Sequence, residues 1–187
     1  CPVIHLCTSL YRASIIKSAI EKNPELFYGD WGCEDLQLAF IMAYYGNIAY
    51  LPEYTLNYSC GHTSISHPND EAKDFSFVKK TTDLSFRLSE MYDIHSHNTC
   101  IFFQKRVFSL MMHAFRSKQQ ELFRIAKACL TEWEIRPNTK TRIAIGVMST
   151  SLTWNIAYLI RKIFVFTKRI ILHFGNKKDF KMQTVWL

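Results

Sequence analysis

The sequence lacks the cysteine spacings on which zinc sites and small disulfide scaffolds depend. Six cysteines occur, at positions 1, 7, 33, 60, 100 and 129, and no two of them form a Cys-x-x-Cys pair. Cysteines scattered in this way are typical of reduced, mostly buried thiols in a cytoplasmic protein. A Gly-rich phosphate-binding loop is also missing. The chain begins with Cys-Pro-Val-Ile-His, so we expect it to be the C-terminal piece of a longer protein.

Acidic residues are nearly absent from the last part of the chain. Residues 136–187 hold ten Lys and Arg against one acid, Asp179, whereas residues 1–135 hold thirteen basic and fifteen acidic residues. This asymmetry predicts a globular part followed by a basic tail that meets an anionic surface. The apolar stripe of the tail is too continuous for a nucleic-acid binder, so we expect no nucleic-acid partner.

In the basic tail, apolar and charged residues fall on opposite sides of a predicted helix. The apolar side comprises Ile156, Leu159, Ile160, Ile163, Phe164, Ile170, Ile171 and Phe174, and the basic side comprises Arg161, Lys162, Lys168 and Arg169. This pattern favours a helix in the membrane interface, and we expect residues 141–174 to bind an anionic membrane surface. Packing on the protein or on a second subunit is an alternative. A membrane span is another, because residues 143–160 carry no charge, but they include five Ser, Thr and Asn residues.

Hydrophobic periodicity predicts an α/β fold followed by a mainly α-helical extension. Strands are predicted at residues 3–10, 48–51 and 54–60. Helices are predicted at 13–22, 36–45 and 70–92, with a helix pair in 101–133 that is broken near Ser117. The segment Arg136-Pro137-Asn138 is the best boundary candidate. We therefore predict three parts: residues 1–68, a helical extension at 69–135, and the amphipathic helical tail at 136–187.

Three carboxylates, a tryptophan and two glycines lie within "FYGDWGCEDL", residues 27–36. Asp35 stands at the first turn of the following helix, where free backbone N–H groups stabilise a negative charge by about 0.3–1 kcal/mol. Capping does not require the neighbouring Glu34 or Asp30, and Trp31 adds a flat apolar surface. The residues permit two interpretations: a general base beside an aromatic wall, or a surface loop with capping acids and a core Trp.

Residues 34–66, "EDLQLAFIMAYYGNIAYLPEYTLNYSCGHTSIS", resemble the C-terminal half of the catalytic domain of glycosyltransferase family 2. The ordered features are the pair Glu34-Asp35 that opens a helix, Gly46 after it, Leu51-Pro52-Glu53, and Tyr58 with His62 and Ser64-x-Ser66. The resemblance implies that residues 1–68 are the acceptor side of a GT-A domain, with a Rossmann-like sheet and helices. Two departures from the family pattern are Ser59, where an Arg is common, and His62, which lies one position late.

The resemblance implies an inverting transfer of a sugar from a nucleotide-sugar donor to a hydroxyl of a saccharide or lipid-linked acceptor. Asp35 matches the family's catalytic base, and Asp30 is the rival candidate, although it lies five residues further from Gly46. Glu34, Trp31 and Asp30 would line the substrate site, and His62 is a candidate metal contact. Mg²⁺ or Mn²⁺ would neutralise the departing diphosphate. The Asp-x-Asp motif that holds this metal in the family does not occur in the chain. We therefore expect the fragment to be inactive by itself.

The cellular role implied by the resemblance is bacterial cell-surface polysaccharide or lipid-linked glycan synthesis. Together with the basic tail, it predicts a cytoplasmic enzyme that is peripherally associated with the inner face of the cell membrane, and a homo-oligomer is compatible with this role. The alternative is a non-catalytic helical protein that binds a membrane surface or a partner. An Asp-x-Asp motif upstream of Cys1 would favour the enzyme over this alternative.

Overall fold

The computed structural model describes residues 9–33, 35–49, 53 and 70–175, with side chains described as far as Lys168. These residues form eight helices. The helices are α1 (Ala13–Lys22), α2 (Pro24–Tyr28), α3 (Asp35–Tyr45), α4 (Glu71–Met91), α5 (His97–Ser117), α6 (Gln120–Glu132), α7 (Thr139–Met148) and α8 (Ser151–Gly175).

The predicted α/β class is wrong for the part of the chain that the structure describes, which is 78% helical and contains no strand. The predicted strand at 54–60 lies outside the described residues, as do parts of the other two. Residues 9–10 and 48–49, which belong to those two, form neither helix nor strand. Leu10 and Ile48 are exposed. A short apolar run becomes a strand only where a neighbouring strand pairs with it, and no such neighbour exists among the described residues.

Most of the predicted helices are confirmed. Helix α1 has the predicted bounds, α3 begins one residue earlier than predicted, and α4 is shorter by one residue at each end. The predicted break near Ser117 is the junction of α5 and α6, where Lys118 takes a left-handed φ of 58°. Pro24 starts the short helix α2 soon after α1 ends, because proline fits the first turn of a helix.

Helix α5 is at the centre of the main core and packs against α4, α6, α7 and α8. Its apolar residues recur at three- and four-residue spacing and are buried: Phe103, Val107, Leu110, Met111, Ala114 and Phe115. Trp133, Met148 and Trp154 complete this core from the other helices. Helix α7, which follows the predicted boundary at Arg136-Pro137-Asn138, contacts α5. The proposed division of the chain into three parts stays a prediction.

A smaller apolar cluster joins α2 and α3 to α4. Leu26 of α2 is buried against Leu84 and Leu88 of α4, with Trp31 and Phe40 packed beside them. This cluster positions the "FYGDWGCEDL" segment on α4.

Helices α7 and α8 meet at a sharp bend. No single helix among the described residues is long and apolar enough to span a membrane, and α7 with the first part of α8 meets that condition only as a pair bent by 112°. The uncharged run at 143–160 is therefore divided between two helices.

Candidate functional site

The loop between α2 and α3 is folded tightly around Trp31. Its indole N–H donates to the carbonyl oxygen of Glu25 at 3.1 Å. A Cβ at Gly29 would clash with this indole and with the same carbonyl, so only glycine fits there. Gly32 has a φ of +77°, a conformation that glycine adopts without strain. The guanidinium of Arg87 lies 6.0 Å from the Trp31 ring centroid. Trp31 therefore packs on α2 and α4.

The structure describes two of the three carboxylates of the motif, and their settings differ. Asp30 has an 82% exposed side chain and pairs with the Nζ of Lys80 on α4. Asp35 is the first residue of α3, and it lies where the helix N-terminus favours a negative charge. Glu34 and His62 lie outside the described residues. The catalytic and substrate-binding roles of these residues stay predictions.

A cavity of about 270 Å³ lies between α3, α4 and α5, and Leu36, the residue after Asp35, is part of its lining. It is mainly apolar and is lined by Leu36, Phe40 and Phe103, with the hydroxyls of Ser85 and Thr99 and the amide of Asn98. A few polar groups in an apolar pocket can orient a small ligand. The sequence predicted the helices around this cavity but not the cavity itself.

Arg106 is a half-buried cation that the sequence did not single out. Its Nε donates to the hydroxyl of Thr82 at 2.9 Å, and its terminal nitrogen donates to Thr81. Burial lowers the pKa of Arg106 below its ordinary value, although nearby Cys33 acts in the opposite direction. No sequence signal could have found this site, because Arg106 and the two threonines are 24 and 25 residues apart.

One group of side chains among the described residues has the composition of a metal site. The ligand atoms of Glu71, Asp74 and His113 all lie within 4.8 Å of one another. His113 Nδ1 lies 2.7 Å from one Glu71 oxygen, and Arg116 Nε lies 2.8 Å from the other. Because Arg116 and the α4 N-terminus already stabilise the Glu71 carboxylate, a divalent cation would have to displace the guanidinium. The group acts as a link between α4 and α5, and the expected Mg²⁺ or Mn²⁺ stays a prediction.

Large apolar side chains are exposed along one side of α8. We name the α8 apolar surface after five of its exposed residues: Ile156, Leu159, Ile160, Ile163 and Phe164. Their exposed fractions run from 51% at Ile156 to 70% at Phe164. The other side of the helix is anchored by Trp154, which is buried and contacts Phe115. The sequence predicted this apolar side, and the structure leaves it uncovered by any described residue.

Basic residues surround the same helix. Lys162 and Lys168 are exposed, and the Nζ of Lys162 lies 5.3 Å from the ring centroid of Tyr158. Residues 136–168 contain no Asp or Glu. The α8 apolar surface thus lies within residues 136–168, here called the basic arm, in which every charged side chain is basic.

No protein family, curated protein or solved structure matches this chain. The resemblance to glycosyltransferase family 2 therefore stays a prediction.

Proposed function

We propose that this chain is a helical protein that binds an anionic membrane surface, with α8 lying in the interface. The single observation that carries the proposal is the α8 apolar surface, where five large apolar side chains are each more than half exposed on one side of a helix. In water such a surface is unfavourable, whereas in the interface it lies among the acyl chains. The helix has 25 residues and is about 37 Å long, which is enough to lie along the bilayer plane.

The positive charge of the basic arm is complementary to an anionic surface. Lys162 and Lys168 are exposed on the helix that carries the apolar residues. Each cation near an anionic bilayer adds about 1 kcal/mol of attraction. The anchoring side of α8 faces Phe115 and the core, so the apolar surface can enter the bilayer while the rest of the protein stays outside it.

The test measures co-flotation of the chain with vesicles of phosphatidylglycerol and phosphatidylcholine. Ile163→Glu is expected to weaken binding at least tenfold, because it replaces an apolar side chain that enters the bilayer by a charge that the anionic surface repels. The matched control is Ile48→Glu, since Ile48 is 59% exposed and Ile163 is 58% exposed. Deletion of the tail after Asn138 is a poorer test, because it also removes Met148 and Trp154 from the core.

Two results would overturn the proposal. One is equal flotation of the chain and of Ile163→Glu. The other is an absence of flotation together with a dimer in vesicle-free buffer that Ile163→Glu dissociates. The second result would assign the α8 apolar surface to a second copy of the chain.

Transfer of a sugar from a nucleotide-sugar is a second candidate function. It is supported by the resemblance to glycosyltransferase family 2 and by one local observation. Asp35 is the first residue of α3, and Gly46 directly follows its last residue, Tyr45. This order agrees with an acidic pair that opens a helix and a glycine that follows it. Asp35 would accept the proton of the attacking hydroxyl.

The second candidate is tested in a chain extended upstream of Cys1 to include the Asp-x-Asp segment that the resemblance implies. Asp35→Asn is expected to abolish transfer to a hydroxyl acceptor while donor binding, measured by calorimetry, persists. Asp93→Asn is the control, because the Asp93 side chain is 96% exposed and lies outside residues 34–66, which carry the resemblance. Undiminished transfer by Asp35→Asn would exclude Asp35 as the base.

A further inference from the structure

An apolar groove lies between α5 and α7, and none of the five residues of the α8 apolar surface lines it. Its volume is about 310 Å³, near the lower end of the range of ligand pockets, about 300–1,000 Å³. The lining includes Phe108 and Met112 from α5 and Ile143, Ala144 and Val147 from α7. Ile143 is 62% exposed, so the groove is open along one edge.

Among the residues that the structure describes, one charged side chain lines this groove. Lys140 lies in the first turn of α7 and is exposed, and the remaining lining residues are apolar. No ion pair between described residues includes Lys140. A cation without an acidic partner at an apolar groove is complementary to a molecule with an apolar chain and an anionic head.

We infer that the groove binds one acyl chain of a lipid whose anionic headgroup pairs with Lys140. A groove with aliphatic and aromatic walls fits a flexible chain, and Met112 can adapt its shape to the chain. Ammonium groups are good partners for carboxylate and phosphate oxygens. The inference deepens the proposed function, because a bilayer would supply the lipid. It differs from that function in using α5 and α7, so each can fail independently.

The experiment measures displacement of a dansyl-labelled fatty acid from the full chain in vesicle-free buffer. Laurate is expected to displace the probe at concentrations below those of micelle formation, and dodecanol and dodecyltrimethylammonium are expected to need at least tenfold more. Lys140→Met should remove this preference for the anion. Lys127→Met, which changes an exposed lysine of α6, should retain it.

A second pair of variants tests the groove itself. Ala144→Phe fills it and is expected to weaken laurate binding at least tenfold. Gly146→Phe introduces the same residue on the same helix, at a position where an added Cβ would meet nothing within 4 Å, and should leave binding unchanged. Ile163→Glu should also leave laurate binding unchanged, which separates a failure of the groove from a failure of the α8 apolar surface.

A photolabel keeps the test decisive if Ala144→Phe does not fold. Laurate that carries a diazirine is expected to label peptides of α5 and α7 in the unmodified chain. Labelling confined to α8, or the absence of specific labelling, would overturn the inference. Two further results would overturn the inference. Laurate binding that appears only after residues 176–187 are removed would assign the groove to that segment. Laurate binding that appears only after dilution to the monomer would assign it to a second copy of the chain.

Discussion

The ring of Trp154 in α8 stacks on the ring of Phe115 in α5, with centroids 6.3 Å apart and ring planes inclined by 20°. The Trp154 indole N–H also lies 3.4 Å from the Phe115 carbonyl oxygen and donates to it. This contact fixes the start of α8 on the core. Because Trp154 and Tyr158 occupy the inner side of the helix, the α8 apolar surface, which lies on the opposite side, faces away from the core.

We predict that Trp154→Ala lowers the free energy of unfolding by about 3–5 kcal/mol, the usual cost of removing a buried aromatic side chain. Trp154→Phe keeps the stacking and loses one hydrogen bond, so it should cost about 1 kcal/mol. Urea denaturation followed by circular dichroism measures both. Leu152→Ala is the control, because Leu152 is 71% exposed, and it should change stability by less than about 0.5 kcal/mol. Equal effects of Trp154→Ala and Leu152→Ala would mean that α8 is not anchored there.

Asp83 on α4 has one partner at the end of α6, Trp133, and one on α4 itself, Lys79. One oxygen accepts the indole N–H of buried Trp133 at 3.1 Å, and the other lies 2.9 Å from the Nζ of Lys79. Burial by itself would lower the pKa of Lys79, but the hydrogen bond and charge of Asp83 outweigh it and raise this pKa above its ordinary value. The ammonium of Lys79 therefore stays charged beside the core.

We predict that Asp83→Leu lowers the free energy of unfolding by about 1.5–3 kcal/mol, because it leaves the Trp133 N–H without its acceptor and Lys79 without its nearest anion. Asp83→Asn should cost less, since its amide oxygen can still accept from Trp133. The control is Asp93→Asn. The side chain of Asp93 is 96% exposed, and its backbone has a positive φ that asparagine tolerates. If Asp83→Leu were no more harmful than Asp93→Asn in urea, the link would contribute nothing to stability.

Cys129 makes the free energy of unfolding fall as the pH becomes alkaline. Burial raises the pKa of its thiol to about 12, although nearby Lys79 acts to lower it. In the unfolded chain the thiol ionises near its ordinary pKa, about 8.5. Its contribution to stability is therefore complete below about pH 8.5 and is lost as the pH rises towards 12, by up to about 1.4 kcal/mol per pH unit.

We predict that Cys129→Ala makes the free energy of unfolding fall less steeply between pH 8 and pH 11, measured by urea denaturation at each pH. Part of the slope should remain, because burial also raises the pKa of Tyr92 to about 12. Cys100→Ala is the control, since Cys100 is exposed. A slope that is identical in Cys129→Ala and the unmodified chain would contradict a raised pKa at Cys129.

The helices could be predicted from the sequence because their signals are local. The four-residue periodicity of α1 and α5 and the left-handed position after Ser117 depend only on neighbouring residues. The strands at 3–10 and 48–51 were predicted from apolar runs of the same kind, but a strand also needs a pairing partner that the local pattern does not specify. This difference explains why the helical bounds are close and the fold class is wrong.

The candidate sites also differ in whether they depend on neighbouring residues or on contacts between distant ones. The α8 apolar surface repeats along one helix and was visible in the sequence. The contact of Glu71 with His113 joins residues 42 positions apart, and the groove beside Lys140 joins α5 to α7, so both depend on how helices pack. The sequence could not tell which side of α8 the core covers, because Trp154 and Tyr158 are also apolar and contact Phe115.

The response of vesicle binding to salt should separate the two contributions of α8. Lys162→Gln with Lys168→Gln removes two exposed cations, each expected to add about 1 kcal/mol near an anionic bilayer. We predict that the double variant binds phosphatidylglycerol vesicles at least tenfold more weakly in 0.05 M salt. This deficit should disappear near 1 M salt, where the Debye length is about 3 Å. The measurement is flotation across this range of salt concentration.

Ile163→Ser provides the comparison, because its defect should be the same at every salt concentration. Loss of apolar contact with acyl chains does not depend on screening. Lys127→Gln removes an exposed cation of α6 and should leave binding unchanged at low salt. If the lysine deficit persisted at 1 M salt, the α8 lysines would act through packing and not through their charge, and the anionic surface would lose its electrostatic support.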